Sequence, residues 1–198
     1  MKKNYVVIVL GLGELSSSYV FLTQNWKRKY NIIPIIYTFG WNNKQEAFNI
    51  KFPRLMNTIE TLIKKGDNVS LIGISAGASA ALNAYIALKK KGIKINKYIS
   101  VCGRFNFDHH WWYPVLYGVK RIPPFEESVS RVMTNMKYLD KNDYKNMTNF
   151  YSFFDEVLPI SASTLRKANK KMIPFPFHIA IYFFFISSKT LIALLSKK

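Results

Sequence analysis

The sequence predicts an α/β fold built on a mostly parallel sheet flanked by helices. Three observations predict it. Strand-like runs alternate with helix-like segments along the chain, an order that builds a parallel sheet covered on both faces. The first run, YVVIVL at 5–10, is continuously apolar, as in a strand buried on both sides. At 73–77 a strand passes into an Ala-rich helix through a serine with glycine two before and two after it. Right-handed crossovers then follow from strand twist.

Taken in order, 5–10 is the first strand and 16–30 a helix, opened by a run of serines able to cap it. The second strand spans 32–37 and ends at Phe39-Gly40-Trp41. A helix over 52–65 follows, with Leu55, Met56, Ile59, Leu62 and Ile63 at helical spacing and Gly66 as its stop. Residues 68–74 form the third strand, 76–91 a helix closed by Gly92, and 95–102 the fourth strand. After a helix over 128–139, residues 149–154 form the fifth strand, and 172–195 reads as a buried terminal strand and helix. One stretch breaks the rhythm. Residues 103–127 carry Phe105, Phe107, Trp111, Trp112, Tyr113, Tyr117 and Phe125 among prolines and glycines, too aromatic for disorder and too long for an ordinary connection.

The 198 residues fit a single domain, 1–198, with 103–127 as an insertion within it. Cys102 is the only cysteine, so no intramolecular disulfide and no cysteine metal cluster can form. It reads as a small buried hydrophobe at a strand end. A net charge of +18 allows nucleic acid, an anionic membrane surface or an acidic substrate as partner. The cations fall in short clusters, 27–29, 64–65, 89–91 and 170–171, read here as solvated helix ends that complement the macrodipole. An anionic membrane surface is the main alternative. Nucleic acid is disfavoured, because no recognition-helix, zinc-finger or RNP-like signature is present. Met1-Lys2-Lys3 and the apolar run after it imitate a secretory signal, but no small-residue cleavage site follows. The stretch 172–195 is interrupted by Pro174, Pro176, His178 and Lys189, against the uncharged run of about 20 residues that a span wants. The expected location is the cytoplasm, with peripheral membrane attachment left open.

Gly73-Ile74-Ser75-Ala76-Gly77 matches G-x-S-x-G at a strand-to-helix junction. A serine on such a sharp turn needs small residues two before and two after it. The turn aims Oγ away from the sheet and presents the N–H of Ala76 to a developing oxyanion. The bland reading is a Gly/Ala helix start needed only for close packing. On this motif and its context the chain resembles the α/β-hydrolase superfamily, over most of its length and at reduced size. The resemblance implies a nucleophile–acid–histidine order, Ser75, Asp155, His178. Asp155 follows the fifth strand and precedes Leu158-Pro159, with Glu156 as its neighbouring competitor. His178 is the late histidine, with Phe177 where the family has glycine. The bland reading makes Asp155 the cap of a helix beginning near Ile160 and His178 a core histidine. The resemblance also implies a second oxyanion donor in Leu10-Gly11-Leu12-Gly13, placed by position at Leu12. Gly11-x-Gly13 read as a dinucleotide fingerprint fails, since Ser16 stands where a third Gly or Ala belongs and 32–40 holds no acid.

The insertion sits where the family places a cap, so Trp111, Trp112 and Tyr113 are expected to wall a substrate pocket. A metal site at Asp108, His109 and His110 is disfavoured, since adjacent histidines on extended backbone point apart. The resemblance implies a serine esterase or lipase-like hydrolase working through an acyl-enzyme, with a small, apolar ester or acyl substrate and no cofactor or metal. Thioester hydrolysis, acyl transfer to an alcohol, or a silent fold that binds a partner are the alternatives.

Overall fold

Apolar runs with β-branched side chains become the central strands because each must cover both faces of the sheet. The computed structural model describes residues 2–43, 45–107, 122–178, 180–186 and 188–196. Their six strands are β1 (Asn4–Val9), β2 (Ile32–Tyr37), β3 (Asn68–Ile74), β4 (Tyr98–Val101), β5 (Met147–Ser152) and β6 (Asn169–Ile173). They pair in parallel in the order β2-β1-β3-β4-β5-β6. Strand alternation divides the core in two. Val7, Val9, Val69 and Leu71 pack on one side, while Val6, Ile8, Ile72 and Ile74 pack on the other. The first side is covered by α3 (Phe48–Lys64), α4 (Gly77–Lys90) and α5 (Pro123–Asn135), the second by α1 (Ser16–Thr23), α2 (Trp26–Tyr30), α8 (Ala180–Ile186) and α9 (Lys189–Ser196). Two short helices, α6 (Lys141–Lys145) and α7 (Ile160–Ser163), complete the described elements together with a 3₁₀ turn at Met136–Tyr138. This is the α/β arrangement expected from the sequence.

Several boundaries differ for physical reasons. The helix expected over 16–30 is two helices, because the chain turns at Gln24-Asn25 to send Trp26 into the core. Leu15 holds its N-cap position without a side-chain bond, so the serines lie inside the helix rather than capping it. Helix α3 starts one turn earlier than expected, where buried Phe48 stacks on Phe39 and Phe52. Helix α5 begins at Pro123 instead of 128, using proline's fixed φ in its first turn. The 170–171 cluster is not a helix end. Lys170 and Lys171 are exposed on β6, one of the two edge strands, where charge discourages pairing with another chain. The other three clusters do lie at the ends of α2, α3 and α4.

The pairing register sets the C-terminal ends of β1, β3, β4 and β5 side by side: Val9 faces Gly73, Ile74 faces Val101, and Val101 faces Phe150. In open parallel sheets this edge is where ligand crevices form.

Candidate active site

Ser75 occupies the turn between β3 and α4 at φ +51, a left-handed conformation rare for a residue with a side chain. Its N–H donates to Val101 O at 3.0 Å and its carbonyl accepts from Ala78 N at 3.0 Å, so the strained turn is fixed from both sides. Close packing explains the small residues around it. A Cβ on Gly73 would stand 2.3 Å from Ala78 Cα, and one on Gly77 would stand 2.1 Å from Val9 O. The bland close-packing requirement is therefore real, and the same packing presents Oγ at the sheet edge.

Across the edge, His178 Nε2 stands 2.9 Å from Ser75 Oγ. Its Nδ1 stands 3.0 Å from Asp155 Oδ2 and 3.2 Å from Oδ1. The Asp155 side chain is 3% exposed against 20% for His178, so the carboxylate is withdrawn from water while the imidazole reaches the cavity. Asp155 Oδ1 also accepts the N–H groups of Val157 and Leu158 at 2.8 and 2.9 Å. Asp155 thus closes its own turn, while Pro159 holds the N-cap position of α7, so the carboxylate is not that helix's cap. Glu156 does not face the imidazole. Its Oε2 accepts the backbone N–H of His178 at 2.6 Å. Phe177, standing where the family has glycine, takes φ +71, the conformation glycine favours. Its N–H donates to Phe154 O at 2.5 Å, and the Phe154 and Phe177 rings meet edge to face at 5.6 Å.

The loop after β1 lies directly against the serine. A Cβ on Gly11 would come within 2.8 Å of Ser75 Cβ, so only glycine lets the loop approach this closely. Leu12 and Ala76 both line the cavity beside Ser75. Ala76 opens α4, whose first N–H groups have no preceding helical carbonyl. Three residues not singled out by the sequence reading hold this loop. Trp41 Nε1 donates to Leu10 O at 2.9 Å. Glu14 Oε1 accepts Gly40 N–H at 2.5 Å, and the ammonium of Lys51, 2% exposed, donates to Gly40 O. Phe39-Gly40-Trp41 is thus a clamp on the loop as well as a strand end. Lys51 is buried because its ammonium is bonded there, a partnership that no local sequence pattern signals.

The cavity measures about 330 Å³ and is mostly apolar, with Leu10, Leu15, Ile74, Phe125, Leu158 and Ile181 among its walls. Arg104, also unflagged, brings a guanidinium to the wall, 5.3 Å from the Phe107 ring and 5.9 Å from the Phe125 ring. Burial lowers the Arg104 pKa from its usual value and raises that of the wall residue Tyr19. Of the 103–127 insertion, Phe105 is buried in the core and Phe125 reaches the cavity, whereas Asp108, His109, His110, Trp111, Trp112 and Tyr113 lie outside the described residues.

Cys102, Asp155 and His178 hold potential metal-ligand atoms within 4.8 Å of one another. Burial, reinforced by the Asp155 charge, pushes the Cys102 thiol up, away from the thiolate a metal needs. The geometry suits proton transfer between Ser75 and His178 better than ligation.

No family model matches the sequence, and no curated protein matches it. Solved structures do. Monoglyceride lipase from Saccharomyces cerevisiae, as a soluble variant, superposes with a TM-score of 0.67 at 14% identity, covering 100% of this chain and 88% of its own. An α/β-hydrolase superfamily protein from Enterococcus faecalis gives 0.64 at 12% identity, covering 99% and 91%. Human thioesterase 2 gives 0.61 at 11% identity, covering 98% and 96%. The chain has the α/β-hydrolase fold.

Proposed function

We propose that the chain is a serine hydrolase that cleaves a carboxylic ester through an acyl-enzyme. The observation that carries this reading is the Ser75 Oγ, His178 Nε2 and Nδ1, Asp155 series of contacts, opening onto an apolar cavity. Ser75 Oγ attacks the ester carbonyl carbon as His178 Nε2 takes the hydroxyl proton. Asp155 holds Nδ1–H and stabilises the imidazolium without taking its proton. The N–H groups of Ala76 and Leu12 receive the oxyanion. On collapse the C–O bond breaks, and His178 returns the proton to the leaving alcohol. Water then attacks the acyl carbon as His178 takes its proton, the bond from that carbon to Ser75 Oγ breaks, and His178 returns the proton to Oγ, releasing the acid. The apolar cavity walls favour apolar acyl groups, and the chemistry needs no cofactor or metal. Thioester cleavage is the second reading, favoured by the likeness to human thioesterase 2.

A fluorophosphonate probe tests the reading. One label per chain is expected, at Ser75, and none in Ser75→Ala. Ser79 is fully buried and bonded to Ala76 O, so a label there in the variant overturns the assignment. In parallel, nitrophenyl esters and acyl thioesters report turnover. His178→Ala should remove several orders of magnitude and Asp155→Asn about 10⁴-fold. Near-normal turnover in His178→Ala, with loss in His109→Ala or His110→Ala, moves the base into the insertion.

A further inference from the structure

The two faces of the sheet carry different surfaces. On the α3, α4, α5 and α6 side, cations meet acids: Arg54 with Glu46, Lys91 with Glu60, Lys89 with Asp140 and Asp143, and Arg131 with Glu127. On the other side, helices α1, α2, α8 and α9 contain no aspartate or glutamate at all, and their charged residues are Lys27, Arg28, Lys29 and Lys189. All four are exposed.

The same layer exposes large apolar side chains. Phe21 is 68% exposed and Ile186 67% exposed, and Val20 and Phe183 are about half exposed. They are not scattered. Phe21 and Ile186 line one shallow depression with Leu22 and Tyr182, joining α1 to α8. Phe183 stacks on Phe175 at 5.2 Å. Tyr182 also lines the cavity beside Ser75, as does half-exposed Leu15, so the strip runs to the cavity mouth. A contiguous apolar strip of this kind marks an interaction surface rather than ordinary surface variation.

Charge selects the occupant. A second copy would set the four helix cations against four cations, with no acid on these helices to answer them. An anionic lipid surface instead matches both features at once, taking the aromatic and aliphatic side chains at the acyl boundary and the lysines at the headgroups. Among the described residues no helix is long and apolar enough to cross a membrane, so contact is through a face. We propose that the outer face of α1 and α8, flanked by Lys27, Arg28, Lys29 and Lys189, docks the protein on an anionic lipid bilayer, with the Ser75 cavity opening beside the contact.

Flotation of the full chain with phosphatidylcholine vesicles, with and without phosphatidylserine, tests this. Binding to the phosphatidylserine vesicles should be at least about tenfold tighter and should weaken with salt. Phe21→Ser with Ile186→Ser, and separately Lys27→Glu with Lys29→Glu, should each weaken it about tenfold or more. Lys64→Glu with Lys65→Glu makes the same charge change at the end of α3, on the opposite layer, and should cost less than about twofold. Circular dichroism checks the fold of each variant. Ser75→Ala should float like the parent, which separates docking from the proposed chemistry. No flotation with phosphatidylserine, equal losses from the two lysine pairs, or no loss in the Phe21/Ile186 pair overturns the proposal. A dimer by light scattering that dissolves in the Phe21/Ile186 pair assigns the face to a second copy and overturns it as well.

Discussion

His178 is held at three points, and only one of them was visible in the chain order. Its ring meets Asp155, its backbone N–H meets Glu156, and the residue before it is forced to φ +71. A phenylalanine at that φ costs on the order of 1–2 kcal/mol, which the bond to Phe154 O and the edge contact between the two rings help to offset. Reading Asp155 and Glu156 as competitors for one role therefore misses that the structure uses both. The side-chain length decides the division: the short carboxylate sits under the ring, and the longer one reaches around to the backbone. On the proposed mechanism Glu156 is a positioning residue, acting through the histidine whose backbone N–H it accepts. Glu156→Ala should lower kcat about 10- to 100-fold with KM little changed, because a misplaced imidazole harms proton transfer more than substrate binding. Glu156→Gln keeps an acceptor oxygen and should recover most of the loss. Steady-state kinetics on a soluble ester checks this. Equal losses in Ala and Gln, or a loss confined to KM, would contradict the positioning role.

At the level of elements, legibility followed burial. Strand β3 runs as the sequence predicts, because six of its seven residues are buried between two cores; β2, half-buried at a sheet edge, was legible from its IIPIIY run instead. The G-x-S-x-G turn was equally legible, since the clashes at Gly73 and Gly77 leave no other residue type. Elements set by tertiary partners were not. The clamp formed by Trp41, Glu14 and Lys51 bonds residues 26 to 31 positions apart, or 11 for Lys51 and Gly40, which no local pattern reports. Strand β6 was blurred by its lysines, and α6 was missed because five polar residues show no periodicity. Helix α6 is instead specified by a capping box: Asp140 accepts from Asn142 and Asp143, and Asp143 accepts from Asp140 N–H. Lys89 of α4 binds both carboxylates. Its bond to Asp140, with the backbone bonds of the box, lowers the Asp140 pKa to about 2. A carboxyl held below its unfolded value of about 4 stabilises the fold above that value, and the contribution disappears as pH falls through about 2. Lys89→Met should therefore lower Tm modestly at neutral pH, with the gap to the parent closing between about pH 4 and pH 2. Thermal unfolding followed by circular dichroism across that range is the measurement. A gap that stays constant would mean that Lys89 contributes packing rather than charge.

For the molecule as a whole, the dominant electrostatic fact is imbalance. With 29 basic residues against 11 acidic ones, one-to-one pairing would leave 18 cations without an acidic partner. Among the described residues ion pairing is concentrated on one layer, and the charged residues of helices α1, α2, α8 and α9 are cations alone. Self-repulsion of this kind destabilises the compact state relative to the expanded chain. Screening should then stabilise the protein, the opposite of what salt does to a fold held by surface ion pairs. We expect Tm to rise with sodium chloride, by several degrees if the relief reaches about 1–2 kcal/mol, since 1 kcal/mol moves a chain of this size about 2–4 °C. The shape of the curve distinguishes screening from the general effect of salts on apolar burial. The Debye length falls from about 30 Å at 0.01 M to about 8 Å at 0.15 M and only about 5 Å further by 1 M, so most of the rise should be complete by about 0.15 M. A burial effect would instead continue toward molar salt. The Lys27→Glu, Lys29→Glu pair sharpens the test, because removing repulsion on the unpaired layer should raise Tm at 0.01 M and shrink the response to salt. Scanning calorimetry of the parent and this variant between about 0.01 and 1 M salt reads both effects. A Tm that falls with salt in the parent would show that its few ion pairs outweigh the repulsion of the rest.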